Sequence, residues 1–114
     1  MKLSEIICHT EAEIASGNLN DDKNMTKAFS SDLMSDVLTL DEENILLISG
    51  LANVQLIRTA EMAEISAVLL ARNKKATPEM VELANENGLV ILETPFSIYK
   101  ASGVLYLNGL KEVY

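Results

Sequence analysis

The chain has 114 residues, 48% hydrophobic and 23% charged, which is enough for one buried core and lies outside the composition of disordered chains. Its formal charge of -8 excludes a general nucleic-acid binder, because neutralising phosphates needs a surplus of Lys and Arg on some face. A single cysteine, Cys8, excludes an internal disulfide, and no apolar run approaches the roughly 20 residues that span a bilayer; no signal peptide or membrane segment is expected, and the location expected is cytoplasmic.

In chain order, Leu3, Ile6 and Ile7 share one face of a short amphipathic helix, and Ala12 to Ser16 reads as a strand ended by Gly17-Asn18. The polar, acidic stretch Asn18 to Asn24 reads as a solvated loop. Ala28-Phe29-Ser30 suits a strand, after which Ser31 or Asp32 is expected to cap a helix that buries Leu33, Met34, Val37 and Leu38. Asp41-Glu42-Glu43 follow as a solvated connection.

Three short, wholly apolar runs then begin at Ile45, Ala67 and Leu89, in equal steps of 22 residues. Runs of this kind suit strands covered on both faces, as in a parallel sheet joined by crossover helices. The helix after the first run carries Leu56, Ile57, Ala60 and Ala63 on one stripe, leaving Gln55, Arg58 and Thr59 outside it. Thr77-Pro78-Glu79 combines a capping hydroxyl, a proline at the first helical position and a carboxylate at the positive dipole end, so it predicts a helix start; Met80, Val81, Leu83 and Ala84 form the apolar face. Gly88 ends that helix. Thr94-Pro95 repeats the start signal for a last helix to about Asn108, in whose middle Gly103 predicts close packing of helix against sheet. The expected fold is a three-layer α/β/α domain over residues 1–114 with a mostly parallel central sheet.

Ligands of open parallel sheets settle outside the carboxyl ends of the strands. Ser49, Gly50 and Asn53, then Arg72, Lys74 and Lys75, then Thr94 are expected to converge there as an anion-binding rim, which a phosphate-bearing ligand would fit. The same residues also read as ordinary turns and a solvated loop. Gln55 and Arg58 form a polar helical face for a ligand, a second subunit or solvent. Neither a P-loop nor a GxGxxG pattern is present. No metal site is expected, because the sole histidine, His9, has only Cys8 beside it, and no nucleophile and base constellation appears. The pairs Asp21-Asp22 and Asp41-Glu42-Glu43 read as solvation.

Two stretches carry a resemblance. Asp22-Lys23-Asn24-Met25-Thr26-Lys27-Ala28, followed by Ser31-Asp32-Leu33-Met34-Ser35-Asp36-Val37, resembles the signature region of DRTGG domains, and Leu51 to Met62 resembles the second half of their stand-alone members. The likeness runs from Lys2 to Leu110. Such domains are similar to the N-terminal domain of HPr kinase/phosphorylase and also occur within phosphotransacetylases and some CBS-containing pyrophosphatases; small stand-alone versions occur beside iron-hydrogenase subunits in anaerobic bacteria. The signature's paired glycines are replaced by Lys27 and Ala28, and its arginine by Lys23.

What the resemblance implies is a regulatory or assembly module without catalysis of its own, paired with a copy of itself as a homodimer, with Ser31, Asp32, Gln55 and Arg58 as signature or interface residues. Two functions follow as expectations. One is a sensor of an adenine nucleotide or similar anion at the rim, with no cofactor otherwise. The other is an interaction subunit of a hydrogenase-related or electron-transfer assembly, without a small ligand.

Overall fold

The three apolar runs form the middle of a six-stranded sheet in the computed structural model, which describes residues 1–114. The strands are β1 (Glu13–Ser16), β2 (Lys27–Ser30), β3 (Ile45–Ser49), β4 (Ala67–Leu70), β5 (Val90–Glu93) and β6 (Lys111–Glu112), in spatial order β1-β5-β4-β3-β2-β6. All neighbours pair parallel except β1, which runs antiparallel to β5 at one edge. The helices are α1 (Leu3–Thr10), α2 (Met34–Val37), α3 (Val54–Met62), α4 (Pro78–Glu86) and α5 (Ile98–Leu107).

Strand side chains alternate between faces, so each apolar run feeds two cores. Leu46, Ile48, Leu69 and Leu92 pack with Leu3 and Ile6 of α1 and with Ala101 and Leu105 of α5. Ile45, Leu47, Val68 and Ile91 pack on the other side with Leu56, Ile57 and Ala60 of α3 and with Met80 and Ala84 of α4. The result is the expected three-layer α/β/α arrangement. No helix is long and apolar enough to cross a membrane.

Local signals are confirmed where the bonding they call for is available. Thr77 accepts from the Met80 N–H at 3.2 Å and caps α4, with Pro78 in its first turn, and Gly88 follows that helix at φ +66°. Thr94-Pro95, in contrast, does not open α5. The Thr94 hydroxyl is buried, donates to the Thr10 carbonyl at 2.6 Å and accepts from the Phe96 N–H at 3.1 Å, and Ser97 takes over as the cap by accepting from the Lys100 N–H.

Four other expectations are corrected. The helix after β2 is one turn long, opens from Leu33 without a side-chain cap, and buries only Val37 completely; Leu33 and Leu38 are exposed. Thr59 lies inside the buried stripe of α3, where its hydroxyl accepts from Gln55 Nε2 at 3.4 Å. The fifth strand begins at Val90, one residue after Leu89. Gly103 is exposed on the outer side of α5, and a Cβ there would meet nothing within 4 Å, so helix–sheet contact does not account for it.

The loop Asn18 to Asn24 is also more than solvation. Asp22 accepts from the Ser4 N–H at 3.0 Å and the Ser4 hydroxyl at 2.8 Å, capping the first turn of α1 from a distance in sequence, while Leu3 N–H donates to the Lys23 carbonyl. The Ser4 backbone bond, then the Ser4 hydroxyl, hold the Asp22 carboxyl below its ordinary 3.8. A depressed carboxyl stabilises the fold above its unfolded pKa, and that contribution is lost as pH falls from about 4 through the folded value. Asp22→Asn is therefore expected to flatten the acid limb of a stability–pH profile below about pH 4. An unchanged limb in urea titrations would show that the cap carries no linkage.

Candidate functional site

Four loops meet at the carboxyl ends of β2 to β5, stitched by main-chain bonds that continue the sheet: Ser31 N–H to the Ile48 carbonyl, Ala71 N–H to Ser49, and Thr94 N–H to Leu70. The expected convergence of the Ser49, Arg72 and Thr94 segments is present, joined by the loop after β2. Asp32, which the resemblance places among signature residues, belongs to the rim. Its Oδ1 accepts from both the buried Ser49 hydroxyl and the Gly50 N–H, each at 2.8 Å. The partners stand 17 and 18 positions apart, so periodicity does not reveal the pair.

The rim residues divide by what already holds them. Ser49 donates to Asp32 and accepts from Leu51 N–H, and Asn53 Oδ1 caps α3 by accepting from Leu56 N–H at 3.0 Å. Thr94 is turned inward, as described above. Lys75 Nζ lies 3.7 Å from Glu93 Oε1, while the other oxygen of Glu93 accepts from the Ala76 N–H at 2.7 Å. Lys75 is thus part of a charge-balanced brace between the loop after β4 and the end of β5.

Arg72 and Lys74 are different. Both are exposed, and neither has a carboxylate within ion-pair distance. Arg72 and Asn73 are consecutive left-handed residues, at φ 60° and 58°, held by Arg72 N–H to the Phe96 carbonyl at 2.7 Å and Asn73 N–H to the Thr94 carbonyl at 3.0 Å. A non-glycine residue in this conformation costs about 1–2 kcal/mol, and the two bonds to the loop after β5 offset it. The turn lays the guanidinium of Arg72 on Gly50: a Cβ at residue 50 would stand 2.9 Å from Nε and 3.2 Å from Nη2. A side chain at residue 50 would have to displace the Arg72 guanidinium from this position.

In the same rim the first turn of α3 leaves the N–H groups of Val54 and Gln55 without a partner in the chain. The rim thus presents an unpaired guanidinium, an unpaired lysine and free helix N–H groups, all of which favour an anion, with the Asp32 carboxylate as the competing negative charge. Gln55 and Arg58 stay on the outer side of α3, Arg58 in a hollow of about 160 Å³ with Glu79, Glu82 and Glu86 of α4. Ser31 accepts from Leu33 N–H at 3.0 Å and shapes the turn before α2.

A second concavity lies away from the rim. A groove of about 470 Å³ runs between the β2 edge, α5 and the chain after Leu110, and all three tyrosines of the chain, Tyr99, Tyr106 and Tyr114, line it. Periodicity hid it, because β6 comes to β2 from the far end of the chain.

No family model matches the chain, and no curated protein matches it by sequence. Among solved structures it is similar to the CBS and DRTGG domains of the regulatory region of Clostridium perfringens pyrophosphatase, a structure described as complexed with its activator, diadenosine tetraphosphate. The superposition has a TM-score of 0.79 at 17% identity and covers 96% of this chain. It covers 47% of the other, so the chain spans about half the length of that structure. The likeness is one of architecture: this chain has a DRTGG-like α/β fold.

Proposed function

We propose that the chain is a non-catalytic regulatory module of the cytoplasm that pairs with a copy of itself and senses an adenine nucleotide or a similar anion at the rim. The observation that carries the reading is Arg72, a guanidinium without a carboxylate partner, laid on Gly50 by a strained turn beside the start of α3. The structural neighbour supports it as a regulatory region whose activator is a dinucleotide. The mechanism is differential binding, in which the anion favours the dimer arrangement that best aligns its donors.

A thermal-melt series with adenine nucleotides tests the reading. A ligand at about 100 times its dissociation constant adds about 2.7 kcal/mol and raises the midpoint by several degrees. The double variant Arg72→Ala, Lys74→Ala is expected to lose that rise while melting normally without ligand. A rise of equal size in the variant would remove both residues from the site.

One observation favours the alternative, an interaction subunit of a hydrogenase-related or electron-transfer assembly with no small ligand: Asp32 already satisfies the Ser49 hydroxyl and the Gly50 N–H. A flat nucleotide screen, together with a stable complex that ignores added nucleotide, would select it.

A further inference from the structure

α5 is apolar on both sides. Ile98, Ala101 and Leu105 face the sheet, while Tyr99, Gly103, Tyr106 and Leu107 follow the i, i+4, i+7, i+8 spacing of a second apolar stripe on the outside. Lys100 is the only charged residue of the helix, and its Nζ lies 3.9 Å from the centre of the Phe96 ring. A helix apolar all round is ordinarily covered all round.

The exposed area is of the size of an interface. Tyr99, Tyr106, Leu107 and the neighbouring Tyr114 are 90%, 52%, 86% and 80% exposed. At roughly 200 Å² for each large side chain, these four alone offer about 600 Å², against about 800 Å² per partner in a standard interface. Within the stripe Tyr99 and Tyr106 flank Ser102-Gly103. In an antiparallel pairing of two such stripes one copy's Tyr99 would come opposite the other's Tyr106, which is the self-complementarity an isologous contact asks for.

We propose that the outer face of α5 docks on the same face of a second copy of this chain, the helices antiparallel across a twofold axis near Gly103, with Tyr99 of each copy beside the other's Tyr106. The proposal rests on the self-association inferred above and adds where it occurs. The missing side chain at Gly103 lets the two backbones approach, and the groove beside α5 receives an aromatic ring from the opposite copy.

Sedimentation equilibrium of the full chain tests this at concentrations from about 1 to about 200 μM, a range that brackets micromolar dimers. The variants are Gly103→Lys, Tyr106→Ser and, as a control on an exposed leucine elsewhere, Leu33→Ser. Gly103 is exposed and a Cβ there meets nothing within 4 Å, so the start of a new side chain at residue 103 does not clash within the subunit. The expected result is a wild-type dimer whose dissociation constant rises at least about tenfold in the first two variants and is unchanged in the control. A wild-type dimer unaffected by both variants would overturn the α5 surface and leave self-association standing. A monomer at every concentration would overturn both, and tyrosine resonances of that monomer that shift on adding adenosine would give the groove to a small aromatic ligand instead.

Discussion

Leu69→Ala is expected to lower the unfolding free energy by about 3 kcal/mol, read from urea titrations of dilute protein. Leu69 is fully buried in β4, between Ile48 of β3 and Leu92 of β5, and all three belong to the core under α1 and α5. Main-chain pairing on both sides holds the strand in place, so the walls cannot close on the space that the side chain leaves. A loss of this size is a large part of the 5–15 kcal/mol that ordinary domains possess. Leu33→Ala removes the same atoms from a leucine that is 58% exposed, and is expected to change stability by less than about 0.5 kcal/mol. Equal losses at the two sites would contradict the one-turn α2 and place Leu33 in the core after all.

Asp32→Ala is expected to cost about 2 kcal/mol, because it strands the buried Ser49 hydroxyl and the N–H of buried Gly50 that now share Oδ1. Asp32→Asn keeps an acceptor and is expected to cost about half as much. Asp36→Ala is the control: its exposed carboxylate accepts no hydrogen bond, so its removal should be nearly neutral. The same Asp32→Ala change takes a negative charge from the rim that holds Arg72 and Lys74, so stability should fall while affinity for an adenine nucleotide rises. Losses in both, after correction for the unfolded fraction, would show that Asp32 contacts the ligand rather than competing with it.

The legible parts of this fold are those whose bonding is local. The runs beginning at Ile45, Ala67 and Leu89 declare themselves because a strand covered on both faces is apolar on both, with Ser49 and Glu93 only at the strand ends, and Thr77-Pro78 caps α4 because nothing else reaches its hydroxyl. Thr94-Pro95 has the same local chemistry and a different outcome. A carbonyl from the end of α1 takes the Thr94 hydroxyl, and Ser97 stands three residues on to cap in its place. At the rim, the pairing of Asp32 with Ser49 depends on β2 lying beside β3, which one-dimensional spacing does not record. The cost of Gly103 to a helix is the same whether the glycine faces a sheet or the outside, and only the packing tells them apart.

The spatial order of the strands sets a schedule for folding. β3, α3 and β4 are consecutive in the chain and adjacent in the sheet, so they can assemble as soon as they exist, whereas each edge waits for a distant segment. β1 must wait for β5, and the bond from Thr94 to the Thr10 carbonyl closes 84 positions of chain. The loop-closure entropy is therefore met late, by the elements that seal the sheet, and β1 spends synthesis without its partner strand. The slow step in refolding should be the arrival of α1 and β1 on a β3–β5 core already formed, with substitutions in β3 and β4 slowing folding and substitutions in β1 speeding unfolding.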